Sequence, residues 1–220
     1  NTIKKRKSKK IIVKSNISKK RYKKIVLEAK KHIKKGDIFQ VVLSQRFETK
    51  LTKEPLEIYK SLRINNPSPF MFFFNFSDFQ IIGSSPEILV RLRKNKITIR
   101  PIAGTRPRGL NMKKDNFYKK QLLNDKKELS EHLMLLDLGR NDVGKVSKIN
   151  TVKVTEKFQI EKYSHVMHIV SNVEGKFNQE KSLLDTMLAG FPAGTVTGAP
   201  KIRAMAVSYT HLRAHETDSY

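Results

Sequence analysis

Residues 70–102, FMFFFNFSDFQIIGSSPEILVRLRKNKITIRPI, decide the fold class of this chain. Branched and aromatic residues come in short runs, and turn-forming pairs at Ser77-Asp78 and Lys94-Asn95 interrupt them. The pattern predicts strands over residues 70–76, 80–82, 88–93 and 96–102. Because short connections join antiparallel neighbours most easily, we expect these strands to form an antiparallel meander.

The N-terminal region is strongly basic, since residues 1–35 contain 14 Lys and 2 Arg but one acidic residue, Glu28. Such a block could be a nucleic-acid-binding arm. Helical spacing of apolar residues favours an amphipathic helix instead, with Ser18 as its N-cap and Gly36 just beyond its end. The apolar positions are Tyr22, Ile25, Val26, Ala29 and Ile33. The lysines would then lie on the solvent-facing side of this helix.

The rest of the chain mixes strands with helices. Alternating apolar and polar residues predict strands over residues 37–48, 150–158 and 164–173. Helical spacing predicts helices over residues 54–64, 117–137 and 181–188. Together these elements predict the α+β class, with antiparallel sheets and helices packed outside.

Composition excludes several classes of protein. The chain has no Cys, which excludes disulfides, Cys-ligated zinc, iron–sulfur clusters and thiolate nucleophiles. No apolar run approaches the roughly 18 residues of a membrane span, and the first residues lack the apolar region of a signal peptide. We therefore expect a soluble, cytoplasmic protein with no membrane partner. The formal charge of +25 suggests a nucleic-acid-binding protein as a competing interpretation. No nucleic-acid signature motif is present, so we expect no nucleic-acid partner.

Two short segments place charged residues beside turn residues. In residues 83–87, GSSPE, a tight turn would direct Glu87 into a cleft, where partial burial raises the pKa of a carboxyl group toward that of a general acid. The alternative is a solvated carboxylate on a surface turn. In residues 101–109, PIAGTRPRG, backbone amides, Thr105 and the arginines could bind a carboxylate or phosphate. The alternative there is a strand-to-helix loop with solvated arginines.

Two further segments have the residue types of binding sites. Glu128 and Glu131 share one helix face, where a hard cation such as Mg²⁺ or the neighbouring lysines would offset their repulsion. Residues 190–201, GFPAGTVTGAPK, predict a loop ahead of a helix, either an anion cradle or a flexible connection. His168 lies in an apolar strand, where a histidine is more often a hydrogen-bonded core residue than a catalyst.

Taken together, these segments resemble the chorismate-utilising enzymes. The matching motifs, in family order, are GDIFQVVLSQRF, NPSPFMFFF, GSSPE, IAGTRPRG, ELSEHLMLLDLGRND, YSHVMH and GFPAGTVTGAPKIRAM. The resemblance extends over residues 18–205 and is greatest to the large subunits (component I) of anthranilate synthases. It implies a chorismate-binding enzyme fold.

The resemblance also implies a reaction and a role for each motif. In this family Mg²⁺ holds the ring carboxylate of chorismate, a nucleophile adds at C2, the C4 hydroxyl leaves, and anthranilate synthases then eliminate pyruvate. Glu87 matches the general acid, Glu131 a Mg²⁺ ligand with Glu128 beside it, and His168 the residue that serves elimination. The substrate-binding positions are Gly104, Thr105, Gly194 and Thr195.

Two positions discriminate between reactions within the family. Isochorismate-forming relatives have a catalytic lysine where this chain has Gln40, and aminodeoxychorismate synthases commonly have a nucleophilic lysine where it has Ala103. Both residues imply ammonia as the nucleophile, supplied by a glutamine amidotransferase subunit. Isochorismate synthase and aminodeoxychorismate synthase remain the alternative activities within the family. A tryptophan feedback site is implied at Asn66, Pro67, Ser68, Pro69, Phe70 and Met71.

The sequence also departs from the family pattern. We interpret residues 1–17 as a basic linker, residues 18–205 as a partial chorismate-binding catalytic domain and residues 206–220 as a non-homologous tail. The family has further Mg²⁺ carboxylates and pyruvyl-binding groups beyond this point. We therefore expect half a metal site, a fold that is incomplete at the C-terminus, and an inactive chain.

Overall fold

The computed structural model describes residues 11–212, apart from the side chain of His211. The chain divides into two compact units. The described parts of the first unit are residues 11–31, 43–86 and 208–212, and the second consists of residues 32–42 and 87–207. Across residues 11–212, no helix has both the length and the apolar character that crossing a membrane requires.

Both units contain strands and helices. The strands are β1 Val13–Ser15, β2 Gln40–Val41, β3 Phe47–Thr49, β4 Phe70–Asn75, β5 Gln80–Ser85, β6 Arg91–Arg93, β7 Lys96–Ile99, β8 Ile102–Pro107, β9 Lys153–Lys162, β10 Val166–Lys176 and β11 Gly198–Ala199. The helices are α1 Lys19–Lys34, α2 Pro55–Asn65, α3 Met112–Asn124, α4 Lys126–Gly144, α5 Leu183–Gly190, α6 Gly194–Thr197 and α7 Lys201–Ala206, followed by a π-helical segment, Val207–His211. The predicted α+β class with antiparallel sheets is confirmed. The predicted boundaries at residues 17 and 205 stay predictions, although β1 lies within the predicted linker.

Helix α1 confirms the amphipathic interpretation of the basic region. The Arg21 N–H donates to Ser18 Oγ at 3.2 Å, and Gly36 has a φ of +77° just past the helix end. Ile25 and Ala29 are buried, whereas the lysines of the helix are exposed. Ile33, predicted on the inner face, is exposed instead. A solvated helix face therefore accounts for these lysines without a ligand.

In the first unit, β4 and β5 form an antiparallel hairpin against which α2 packs. The Tyr59 ring meets the Phe73 ring edge-on, with centroids 5.9 Å apart. The meander predicted over residues 70–102 is wrong as one sheet, because β6 and β7 form a separate hairpin in the second unit. Lys94 and Asn95, both with positive φ, form the turn of that second hairpin.

The strand predicted over residues 37–48 is also wrong. Within this range only β2 and β3 are strands, and they belong to different sheets. β2 pairs with β11, and β3 pairs with β1. Residues 32–42 and 43–86 fall in different units, so the alternating pattern does not extend through one strand. Pairing partners far along the chain thus determined where each strand ends.

The second unit is built on β10, the central strand of a five-stranded antiparallel sheet. β9 follows one edge of β10, and β8 and β7 pair with successive parts of the other edge. Helix α4 packs against β7, β8, β9 and β10. The core between them contains Ile97, Ile99, Leu136, Val143, Val146, Val173, Phe177 and Ala189.

The single helix predicted over residues 117–137 is two helices, α3 and α4. The break is at Asp125, whose side chain accepts hydrogen bonds from the N–H groups of Lys127 at 3.0 Å and Glu128 at 3.2 Å. A carboxylate at this position satisfies otherwise unpaired amides and interacts favourably with the helix dipole. The apolar spacing continues across the break, which explains why it predicts one helix.

We expect Leu122→Ala to lower the free energy of unfolding by about 2–5 kcal/mol, because it leaves a cavity in packed core. Leu122 is 0% exposed and packs with Met167 and Ile169. Urea denaturation measures the difference. Leu110→Ala is the matched control, because Leu110 is fully exposed and its loss should cost less than about 0.5 kcal/mol. Equal effects of the two variants would show that this cluster is not core.

A second stability prediction concerns Asp115, which is 4% exposed. Its carboxylate accepts from Arg108 at 3.0 Å and from the Gly109 N–H at 2.8 Å, and Lys162 lies 2.9 Å away. The Arg108 guanidinium, the Gly109 amide and Lys162 hold the pKa of Asp115 well below its usual range. The charge of Asp115 therefore stabilises the fold above the unfolded-state pKa of about 3.9, and this contribution disappears as pH falls through the lower folded-state pKa.

We expect Asp115→Asn to lower the Tm at pH 7 by at least about 5 °C, because two cations lose their counter-ion. The difference from the unaltered chain should shrink as the pH falls below about 4. Asp137→Asn is the control, since Asp137 forms an exposed pair with Arg140. A Tm difference that is constant from pH 7 to pH 3 would refute the electrostatic explanation.

Candidate active site

One cavity in the second unit gathers most of the residues to which the sequence analysis gave catalytic, substrate-binding or metal-binding roles. It has a volume of about 310 Å³, within the range of small-molecule sites. Its lining residues are Gln40, Glu87, Ile102, Ala103, Gly104, Thr105, Glu128, Glu131, Leu135 and Thr195. These residues come from β2, β8, α4, α6 and the segment before β6, so the cavity depends on the tertiary fold.

Glu87 lies in an irregular segment between β5 and β6. The predicted tight turn over residues 83–86 is wrong, because β5 continues through Ser85. The Thr195 hydroxyl donates to Glu87 Oε2 at 3.3 Å. Burial raises the pKa of Glu87, and this effect exceeds the opposing effects of the Thr195 hydrogen bond and the charge of His168. A raised pKa increases the fraction of the carboxyl group that is protonated near neutral pH, as a general acid requires.

The loop predicted over residues 101–109 is strand β8 for most of its length. Its pairing with β10 shifts by one residue at Gly104, because His168 faces Thr105 and Ile169 faces Ala103. Gly104 has a φ of +76°, and a Cβ there would lie 3.0 Å from Ile169 Cδ1. A side chain at position 104 would be strained by this φ and would crowd Ile169, which explains the glycine at the bulge. Gly104 and Thr105 both line the cavity.

His168 is on β10, beside the cavity lining. Its Nδ1 lies 2.9 Å from Thr105 Oγ1 and 3.3 Å from the Gly104 carbonyl oxygen. Since a carbonyl can only accept, an N–H on Nδ1 satisfies this arrangement and leaves Nε2 as the nitrogen able to take a proton. The Tyr163 ring packs edge-on against the imidazole, with ring centroids 5.5 Å apart. The core-histidine interpretation is wrong, because His168 is only half-buried and its hydrogen bonds lead to the cavity.

Glu128 and Glu131 both face the cavity from α4. Glu131 Oε1 accepts from Gln40 Nε2 at 2.9 Å, and Glu128 Oε1 accepts from Arg106 at 3.2 Å. Arg106 also pairs with Asp125 at 2.7 Å. Part of the charge on the carboxylate pair is thus neutralised by an arginine that the sequence suggested only as an anion ligand.

The same carboxylates can be tested for their fit to a metal ion. Among residues 11–212, no group of three or more His, Cys, Asp and Glu side chains is placed to hold a metal. Mg²⁺, however, is commonly bound by one or two carboxylates, with water and substrate oxygens completing its shell. Two carboxylates lining one cavity provide the hard oxygen ligands that this ion prefers. Glu131 and Glu128 therefore fit part of a Mg²⁺ site.

The segment of residues 190–201 contains α6 and β11 rather than an extended loop. Thr195 lines the cavity as predicted, but Gly194 does not. Gly194 packs on α4 instead, where an added Cβ would lie 2.8 Å from Leu138 Cδ1. Its role is therefore close packing of the segment on α4.

Sequence reasoning missed His132, which is 0% exposed one residue after Glu131. His132 Nε2 lies 2.7 Å from Ser171 Oγ, and burial lowers the pKa of His132 to about 4. A neutral imidazole therefore joins α4 to β10. Its position directly after Glu131 on a predicted helix was the available signal. The implied feedback residues 66–71 lie in the first unit, at the end of α2 and the start of β4.

Comparison with known proteins identifies the family. A family model described as chorismate binding enzyme matches residues 1–211. The chain belongs to this family. Its sequence is 60% identical over 195 residues to anthranilate synthase component 1 from Cereibacter sphaeroides, a match that covers 89% of this chain and 39% of that protein.

Solved structures agree with this assignment. The crystal structure of anthranilate synthase component I from Streptococcus pneumoniae superposes with a TM-score of 0.81 at 42% identity, over 89% of this chain and 43% of that chain. The menaquinone-specific isochorismate synthase from Escherichia coli has the same fold, with a TM-score of 0.79 at 20% identity, over 91% of this chain and 46% of that chain. The chain thus spans about two fifths of the length of its relatives and has the chorismate-binding enzyme fold.

Proposed function

We propose that this chain forms the catalytic cavity of an anthranilate synthase, which converts chorismate and ammonia to anthranilate and pyruvate. The proposal is supported by the names of the relatives at 50–60% identity. The observation that carries it is the position of Gln40 and Ala103. Both line the cavity beside Glu87, and among the described residues that line it there is no lysine to activate water or to attack C2.

The geometry suggests a role for each group in the reaction. Glu87 donates its proton to the C4 hydroxyl, which leaves as water while ammonia forms the new bond at C2. Gly104 and Thr105 face the ring carboxylate. His168 then removes the C2 proton through Nε2 as the bond between C3 and the ether oxygen breaks, and a proton added to the methylene carbon of the departing enolpyruvyl group converts it to pyruvate. Mg²⁺, held by Glu131 with Glu128 beside it, would neutralise the ring carboxylate and fix its position.

Two parts of this proposal concern other molecules. Ammonia is proposed to come from a glutamine amidotransferase subunit, as the family resemblance implies, because Gln40 and Ala103 in the cavity favour ammonia as the nucleophile. Tryptophan is proposed as a feedback inhibitor that binds at residues 66–71, which lie where α2 gives way to β4.

A product assay tests the proposal. For this purpose we define the completed protein as the Cereibacter sphaeroides relative in which the matched residues of this chain replace their 195 counterparts. The completed protein is given chorismate, ammonium and Mg²⁺, and the products are separated. We expect anthranilate and pyruvate in equal amounts. Isochorismate or aminodeoxychorismate as the main product would refute the proposal.

A further inference from the structure

Residues 190 and 201, the two ends of the segment that contains Thr195, meet at a buried ion pair. Lys201 Nζ lies 2.7 Å from Asp142 Oδ2 on α4 and donates to the Gly190 carbonyl at 3.2 Å. The Lys201 side chain is 9% exposed and that of Asp142 is 5% exposed. One ammonium group therefore joins both ends of the segment to the helix that contains Glu128 and Glu131.

Stability alone is a weak reason for such a pair. Removing two charges from water costs free energy that their mutual attraction often fails to exceed, and apolar residues of similar volume frequently serve as well. Here the ammonium group contacts both the Asp142 carboxylate and the Gly190 carbonyl, so a single buried group links α4 to both ends of the segment. The pair is thus suited to fixing the position of the segment.

The segment that Lys201 closes places two residues of the cavity. Thr195, in its middle, donates to Glu87 at 3.3 Å. Farther along, β11 pairs with β2, so Ala199 faces Gln40. Gly198 has a φ of +123°, and a Cβ there would collide with the backbone of Gln40. The position of the segment therefore sets the positions of both Thr195 and Gln40.

We propose that Lys201 is a positioning residue, which holds residues 190–200 against α4 so that Thr195 reaches Glu87 and Gln40 reaches Glu131. The kinetic part of this inference rests on the proposed function, whereas the structural part does not. The chain offers a matched control in Lys145, which pairs with the same carboxylate through Asp142 Oδ1 at 2.9 Å. Lys145 is 56% exposed and does not contact the segment through any described hydrogen bond.

The structural test uses hydrogen exchange. Phe39 N–H donates to the Ala199 carbonyl at 2.8 Å, and Val42 N–H donates to the Thr197 carbonyl at 3.1 Å. In the completed protein, Lys201→Met should accelerate exchange of these two amides by at least about tenfold, because the segment opens more often. Lys145→Met should leave the same amides unchanged. Equal exchange in the two variants would overturn the proposal whether or not the protein acts on chorismate.

The kinetic test asks whether Lys201 acts through Thr195. Lys201→Met should lower kcat/KM for chorismate by about ten- to a hundredfold, as a displacement of about 1 Å can do. Thr195→Val should have a related effect, and the double variant should lose no more than the worse single variant. Fully multiplicative losses would contradict the coupling. A completed protein that makes no anthranilate before substitution would refute the proposed function, and hydrogen exchange would still decide the role of Lys201.

A further variant separates positioning from mere stability. In Lys201→Met/Asp142→Leu both charges are gone, so we expect the Tm to return to that of the completed protein or higher. If Lys201 positions the segment, kcat/KM stays low in this variant although the Tm is restored. Recovery of kcat/KM together with the Tm would show that the ion pair only stabilises the fold.

Discussion

Glu87→Gln in the completed protein is expected to lower kcat for anthranilate formation by at least about 10²-fold. Glutamine has nearly the same shape, so Thr195 keeps a hydrogen-bond acceptor and the cavity keeps its form. The amide cannot donate a proton to a leaving hydroxyl. Burial already raises the pKa of Glu87, which favours the protonated form that the first step needs. The loss should therefore appear in kcat more than in KM.

The matched control for this prediction is Glu156→Gln, because Glu156 is an exposed carboxylate on β9. We expect its activity to stay within about twofold of the completed protein. Steady-state kinetics with fluorescence detection of anthranilate measure both variants. If Glu87→Gln retained more than a tenth of the activity, Glu87 could not be the main proton donor.

Glu131→Gln is expected to raise the Mg²⁺ concentration for half-maximal activity by at least about tenfold. Glu131 is the carboxylate whose charge is not paired with an arginine, since its described partner is the neutral Gln40. Glu128 is already paired with Arg106, so Glu128→Gln should have the smaller effect. The order of the two effects follows from the charges around each group.

Titration with Mg²⁺ at saturating chorismate measures this prediction, and Mn²⁺ binding measured by electron paramagnetic resonance provides a readout that does not depend on turnover. Glu180→Gln, which changes an exposed carboxylate outside the cavity, is the control. An unchanged Mg²⁺ requirement in Glu131→Gln would remove Glu131 from the metal site.

Local signals in the sequence were sufficient where an element is stabilised by its own residues. Helix α1 was predicted from its cap and apolar spacing, and α2 from apolar spacing. The predicted helix over residues 117–137 failed because the capping role of Asp125 depends on its backbone conformation, which spacing does not reveal. The strand over residues 37–48 failed because β2 and β3 take partners from distant parts of the chain.

The candidate site shows a similar division. Family resemblance implied nine catalytic, substrate-binding and metal positions, and all of them except His168 and Gly194 line one cavity. Gly194 was predicted to bind substrate because a sequence motif does not show which of its residues face the cavity. In the fold it packs on Leu138. Arg106 and Lys201 were not given structural roles, because an ion pair with a residue 19 or 59 positions away has no signature in a single sequence.

We expect chorismate and a divalent cation to bind together in the cavity between β8 and α4. The most direct measurement is a crystal structure of the completed protein with Mn²⁺ and chorismate, with anomalous scattering used to locate the metal. We expect one anomalous peak within about 2.5 Å of a Glu131 oxygen. We also expect the substrate ring between Gly104 and Glu87, with its C4 hydroxyl toward the Glu87 carboxyl group. A metal peak away from α4, or chorismate bound outside this cavity, would refute this mode of binding.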